Sequence, residues 1–98
     1  MKYRIIKTPS PGTLNILRHR HGSGSLPEHT DAVGLVQGLM IDMVAAADIA
    51  EKAVGVTVGD IRGSCPQNMV LLAIFGDTAS VEAAITQIKS AFSVKEGG

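Results

Sequence analysis

Asn68-Met69-Val70-Leu71-Leu72-Ala73-Ile74-Phe75-Gly76-Asp77 is the stretch on which the fold turns. Its apolar run from Met69 to Phe75 is unbroken. A strand with one wet face alternates apolar and polar residues, whereas an unbroken run fits a strand covered on both faces. Gly76 ends the run. Asp77 is of the type that caps a helix start, where a carboxylate accepts the first unpartnered backbone N–H groups. Val81, Ala84, Ile85, Ile88 and Phe92 then recur at helical spacing and form one apolar stripe.

The pattern continues upstream. Val54 to Ile61, with Val54, Val56, Val58 and Ile61, reads as a strand. Met40 to Ala53 reads as a helix, because Met40, Met43, Val44, Ala47 and Ala50 recur at helical spacing and its alanines favour that state. Ala32-Val33-Gly34-Leu35-Val36, within Asp31 to Gln37, is a short buried strand. Residues 22–30, rich in Gly and Ser, read as a connector. Before it, Tyr3 to Lys7 alternates like a strand, and Pro9-Ser10-Pro11-Gly12 signals a turn. Thr13 to His21 reads as a second strand with an apolar first half and a charged second half. The tail from Val94 to Gly98 is expected to fray. The predicted order is β-β-linker-β-α-β-β-α, without internal repeats. This is an α+β domain with both helices on one face of a mostly antiparallel sheet. Residues 1–98 form a single domain, divided into N-terminal strands (1–21), linker (22–30) and core (31–92).

Composition narrows the function. The chain has 98 residues, 45% of them apolar, but only two Phe, one Tyr and no Trp. Its core must therefore come from close-packed Val, Ile, Leu and Ala. Formal net charge is zero, which argues against a nucleic-acid partner. The single cysteine rules out an intrachain disulfide. No apolar run matches a secretory signal or the roughly 20 residues of a membrane span, so a cytosolic, soluble protein without a membrane partner is expected.

Enzyme signatures are scarce. Gly22-Ser23-Gly24-Ser25 lacks the spacing and the strand–helix context of a nucleotide loop. The carboxylates are scattered singly. His19 and His21, two apart on a strand, would face the same side and could share a metal. Arg18 and Arg20 disfavour a cation there, so an exposed polar strand end is the better reading. Cys65 remains. Gly63 and Ser64 leave its backbone unobstructed, Pro66 stiffens the loop, and Arg62 favours thiolate. A Cys-Pro step also occurs at cluster ligands of ferredoxins. One thiolate cannot hold a cluster, so such a site would have to be assembled from several subunits around an axis.

From Asp31 to Lys89 the chain resembles the BMC domain, the building block of bacterial microcompartment shells. The resemblance rests on Ala32-Val33-Gly34-Leu35-Val36, Ala45-Ala46-Ala47-Asp48, Lys52-Ala53 leading into Val54-Gly55-Val56, the Gly76-Asp77 turn, and Val81-Glu82-Ala83-Ala84. Leu14 to His21 looks like the family's C-terminal segment moved to the front. Arg4-Ile5-Ile6 and Pro11-Gly12 resemble the leader of the circularly permuted members.

The resemblance implies a structural protein, not an enzyme, that forms a cyclic homohexamer and tiles edge to edge with other shell proteins. It also implies an N-terminal strand in a small barrel at the hexamer axis. The pore-lining loop falls on Gly63, Ser64, Cys65, Pro66 and Gln67. That loop resembles the one in divergent shell proteins of glycyl-radical propanediol microcompartments, where pore cysteines are associated with an iron-sulfur cluster. Asn68 stands where that pattern has Gly. By this likeness Cys65 from several subunits would hold a 4Fe–4S cluster, for electron transfer across the shell or delivery to encapsulated redox enzymes. Lys52 and Arg20 match the family's hexamer-edge positions. Two other functions fit the residues: a metal-free pore for metabolites, and a free-standing small ligand-binding or regulatory domain.

Overall fold

The computed structural model describes residues 1–21, 26, 27, 29–61 and 69–92. The elements are β1 (Lys2–Lys7), α1 (Pro11–Arg20), β2 (Ala32–Leu39), α2 (Met40–Glu51), β3 (Val56–Ile61), β4 (Met69–Gly76) and α3 (Thr78–Phe92). The four strands form one antiparallel sheet in the order β1-β2-β4-β3. β4, the unbroken apolar run, is interior, as its sequence requires.

Both faces of the sheet are covered, by different helices. Ala32, Val36, Leu72 and Ile74 point to one side and pack with Met43, Ala46 and Ala50 of α2 and Val81, Ala84, Ile85 and Ile88 of α3. Gly34 lets α3 approach closely: a Cβ there would lie 3.0 Å from Val81 and 3.1 Å from Ile85. Val33, Ala73, Phe75 and Ile61 point to the other side and pack against Leu14 and Leu17 of α1.

The expected second strand over Thr13–His21 is therefore corrected to a helix. Ser10 caps it, its Oγ accepting the Thr13 N–H at 3.2 Å, and Pro11 occupies the first turn, where a missing N–H costs nothing. Arg18, His19 and Arg20 lie in the last turn, where cations complement the helix dipole. Leu14 and Leu17, three apart, are buried while Ile16 between them is 61% exposed. The two helices expected on one face, α2 and α3, do share it, and α1 adds a third helix on the other. The histidine pair falls with the expected strand: His19 Nδ1 contacts the Asn15 carbonyl within the helix, whereas His21 Nδ1 contacts the Asp60 carbonyl on β3.

The N-terminal strand belongs to the main sheet. Lys2–Lys7 pairs with β2 along its whole length, from Lys2 opposite Gln37 to Lys7 opposite Ala32. It is the edge of the main sheet. Tyr3 faces α3, with Lys89 Nζ 5.1 Å from its ring centroid. Of the connector, Thr30 is fixed: its hydroxyl accepts the Gly76 N–H at 2.9 Å and donates to the Ala32 carbonyl at 2.8 Å. The rest of its Gly/Ser run (22–25), residue 28 and the tail expected to fray lie outside the described residues.

Helix α2 ends two residues earlier than its pattern suggested, and β3 starts two later, because Gly55 turns the chain at φ 84°. Asp77 caps α3 as expected. Its Oδ1 accepts the Ser80 N–H at 2.8 Å and its Oδ2 the Ser80 hydroxyl at 2.9 Å. These bonds favour the carboxylate and hold its pKa below the usual range. A depressed pKa contributes stability that is present above the unfolded value, about 3.9, and is lost as pH falls through the lower folded value. Asp77→Ala is thus expected to lower the melting temperature by a few degrees at neutral pH. The gap from wild type should narrow as pH falls below about 3.9. Thermal melts of the two proteins across that range check this, and a gap independent of pH would refute it.

Candidate functional site

The loop that carries the lone cysteine joins β3 to β4. Ile61 pairs with Leu71 and Leu39 pairs with Met69, so the end of β3, the start of β4 and the end of β2 lie at one end of the sheet. Gly63, Ser64, Cys65, Pro66 and Gln67 span the gap between them and lie outside the described residues. The strand ends that flank this segment thus lie at one pole of the domain, beside the start of α2.

The two supposed edge residues are exposed but far apart. Lys52 follows α2 and pairs with Asp48 at 2.7 Å; an exposed pair of this kind contributes about 1 kcal/mol or less. The 12 residues of α2 rise roughly 18 Å, so Lys52 lies toward the opposite pole from the loop. Arg20 ends α1 on the other face, next to His21, which bridges to Ile61. Arg20 is therefore at the loop pole. The fold does not bring it to the Lys52 end.

Among the described residues no group of three or more His, Cys, Asp or Glu is placed to hold a metal. The chain has one cysteine, Cys65, so each chain can supply a single thiolate. Among the same residues no helix is long and apolar enough to cross a membrane.

Two features at the loop pole were not singled out from the sequence. One is an apolar patch at the start of α2: Leu39, Met40, Ile41 and Val44 are 50%, 53%, 80% and 67% exposed. The other, on the opposite face of the sheet, is a hollow of about 250 Å³ beyond the reach of α1. Leu35 and Leu71 contribute its apolar wall and Lys2, Arg4 and Gln37 its polar rim. The signal for the patch was present in α2, whose first two turns are apolar but for Asp42. A helix of that kind is normally buried all round.

Comparison with known proteins agrees with this architecture. The BMC domain model matches residues 32–97. The chain is similar to the GrpU microcompartment shell protein from Clostridiales bacterium 1_7_47FAA, in its ligand-free structure. The identity is 57% over 99% of this chain and 95% of that one, with a TM-score of 0.77. It is also similar to the ligand-free GrpU shell protein from Pectobacterium wasabiae, at 38% identity over 90% of this chain and 99% of that one, with a TM-score of 0.74. The double ringed trimeric shell protein of the RMM microcompartment shares the fold, with a TM-score of 0.74 at 22% identity; this chain covers 47% of it. No curated protein matches. Shell proteins assemble into oligomers, so surfaces exposed in one copy are candidates for contact. A free-standing regulatory domain does not fit these relatives. The chain belongs to the BMC-domain family as a microcompartment shell protein of the GrpU type, a structural rather than enzymatic protein.

Proposed function

We propose that this chain is the subunit of a cyclic homohexamer in a microcompartment shell, with the 63–67 loops lining its central pore. Cys65 thiolates from several subunits hold an iron-sulfur cluster there. The observation that carries this reading is the chain's only thiol, Cys65, lying in sequence between β3 and β4 of a chain 57% identical to a GrpU shell protein. The donor set fits a shared cluster and no other arrangement of one. A 4Fe–4S cluster takes about four thiolates, and each chain supplies one. Bound there, the cluster supplies one-electron transfer across the shell. The protein's part is to converge the thiolates, to keep them deprotonated and to set their exposure to water.

A ring of six around a four-ligand cluster leaves thiols unused and breaks the sixfold symmetry. Lys52 and Arg20 are its candidate edge residues, Lys52 lying toward the pole remote from the strand ends that flank the loop and Arg20 toward the pole where His21 bridges to Ile61. The strand and helix of residues 2–20 precede the matched region 32–97 yet complete its sheet and its second face. That order suits a circularly permuted member, with the connector as the join.

Light scattering coupled to size-exclusion chromatography tests the ring, and the expected mass is about six times that of the chain. A monomer or dimer at micromolar concentration would sink this reading. A hexamer that stays iron-free after anaerobic reconstitution would leave the metal-free metabolite pore in its place.

A further inference from the structure

We propose that the apolar patch at the start of α2 in one copy of this chain seats in the hollow beside β1 and β2 of the next copy, forming the contact that closes the ring. This rests on the ring reading and names the surfaces that make it.

Three observations lead to a second copy as the occupant. The first is the patch itself. Ile41 and Val44 are more than half exposed, whereas α3 turns Glu82, Gln87 and Lys89 outward and buries its apolar stripe. Leaving the α2 surface wet forgoes the burial that makes apolar helices stable, and a contiguous patch on a small domain marks an interaction site. The second is position. Leu39 pairs with Met69 at the pole from which the Cys65 loop leaves. If those loops converge on an axis, the surfaces flanking them are the ones that meet a neighbour. The third is complementarity. Asp42 lies within the patch, while Lys2 and Arg4 rim the hollow around its apolar wall.

The two surfaces lie on opposite faces of the sheet at the same pole. Contacts in a ring of more than two members are head-to-tail, joining two different surfaces of each copy, and closing when the rotation closes. A patch on one face and a hollow on the other supply such a pair. The chain carries no net charge, so copies approach without global repulsion.

The decisive experiment uses paired cysteines in a Cys65→Ser background, which removes the only native thiol. Ile41→Cys and Arg4→Cys are combined and the protein is oxidised with diamide, which takes two thiols to one disulfide. The expected result is a ladder of covalent species on a non-reducing gel, reaching the full ring. Val54→Cys with Arg4→Cys is the control. Val54 is 91% exposed after the end of α2, toward the other pole, and should give no ladder. Separately, Ile41→Asp should lower the mass in solution about sixfold, from ring to monomer, with far-UV circular dichroism unchanged. Val54→Asp should leave the mass as it was.

If the wild type is a monomer, the ring reading fails and this contact with it. If the wild type is a ring but the Ile41–Arg4 pair gives no ladder while retaining the ring mass, this contact alone is overturned. An Ile41→Asp ring of unchanged mass overturns it equally. The disulfide readout does not depend on Ile41→Asp folding.

Discussion

Cys65→Ser is expected to abolish iron binding while leaving the assembled ring intact. Reconstituted without oxygen, the wild-type ring should carry about four iron and four sulfide atoms, and Cys65→Ser only background levels. The physical reason is the donor. Thiolate is a soft ligand suited to iron-sulfur clusters, and the nucleophilic and ligating form of cysteine is reached near neutral pH, with an unperturbed pKa of about 8.5. A serine hydroxyl is a harder donor that does not ionise in that range. No other cysteine exists to substitute. Because the ligand must lose its proton on binding, wild-type loading should also improve as pH rises from about 6 to about 8. Iron, sulfide and visible absorption, measured beside mass by light scattering, separate loss of the cluster from loss of the ring. Equal iron in wild type and variant would refute the assignment of Cys65.

Phe75→Ala is expected to be the most damaging single core change. Phe75 is 1% exposed and heads the fully buried side chains by volume. It lies on the face covered by α1, which buries only Leu14 and Leu17 there. With so few neighbours able to close in, the void persists, and truncations of this kind cost about 3–5 kcal/mol. A domain of this size has roughly 5–15 kcal/mol in total. The melting temperature should fall by roughly 12–40 °C, at 4–8 °C per kcal/mol. It should be measured at one fixed protein concentration, since assembly adds to apparent stability by mass action. Phe75→Leu keeps most of the volume and should lose much less. Similar melts for Phe75→Ala and wild type would show that the α1 face does not contribute as described.

Much of this was legible in the chain. The unbroken run of β4, the Gly76-Asp77 stop and cap, and the five-residue stripe of α3 all appear where their residues place them. Each is local, depending on neighbours within a few positions. The error at Thr13–His21 has a specific source. Leu14-Asn15-Ile16 alternates as a strand does, and Leu14 and Leu17 recur as a helix does; a segment so short satisfies both periods. The Ser10-Pro11 start favoured helix, but the bare face of β4 decided it. A strand apolar on both sides needs a cover on its second side, and in this chain α1 is that cover.

The sequence by itself determined the α+β class, the interior place of β4, the capped last helix, and the family to which residues 31–89 point. It also held the lone thiol and its Gly-Ser-Cys-Pro-Gln setting. Tertiary structure alone decided that β1 is the sheet's edge, that α1 covers the second face, and that His19 and His21 part company. It alone placed Lys52 and Arg20 toward opposite poles, and left the start of α2 and the hollow beside β1 open on opposite faces at the loop pole. The division follows from range. Caps, turns and stripes are set by residues a turn or two apart. Strand pairing, face and pole depend on partners as distant as Gly76 from Thr30 and His21 from Asp60.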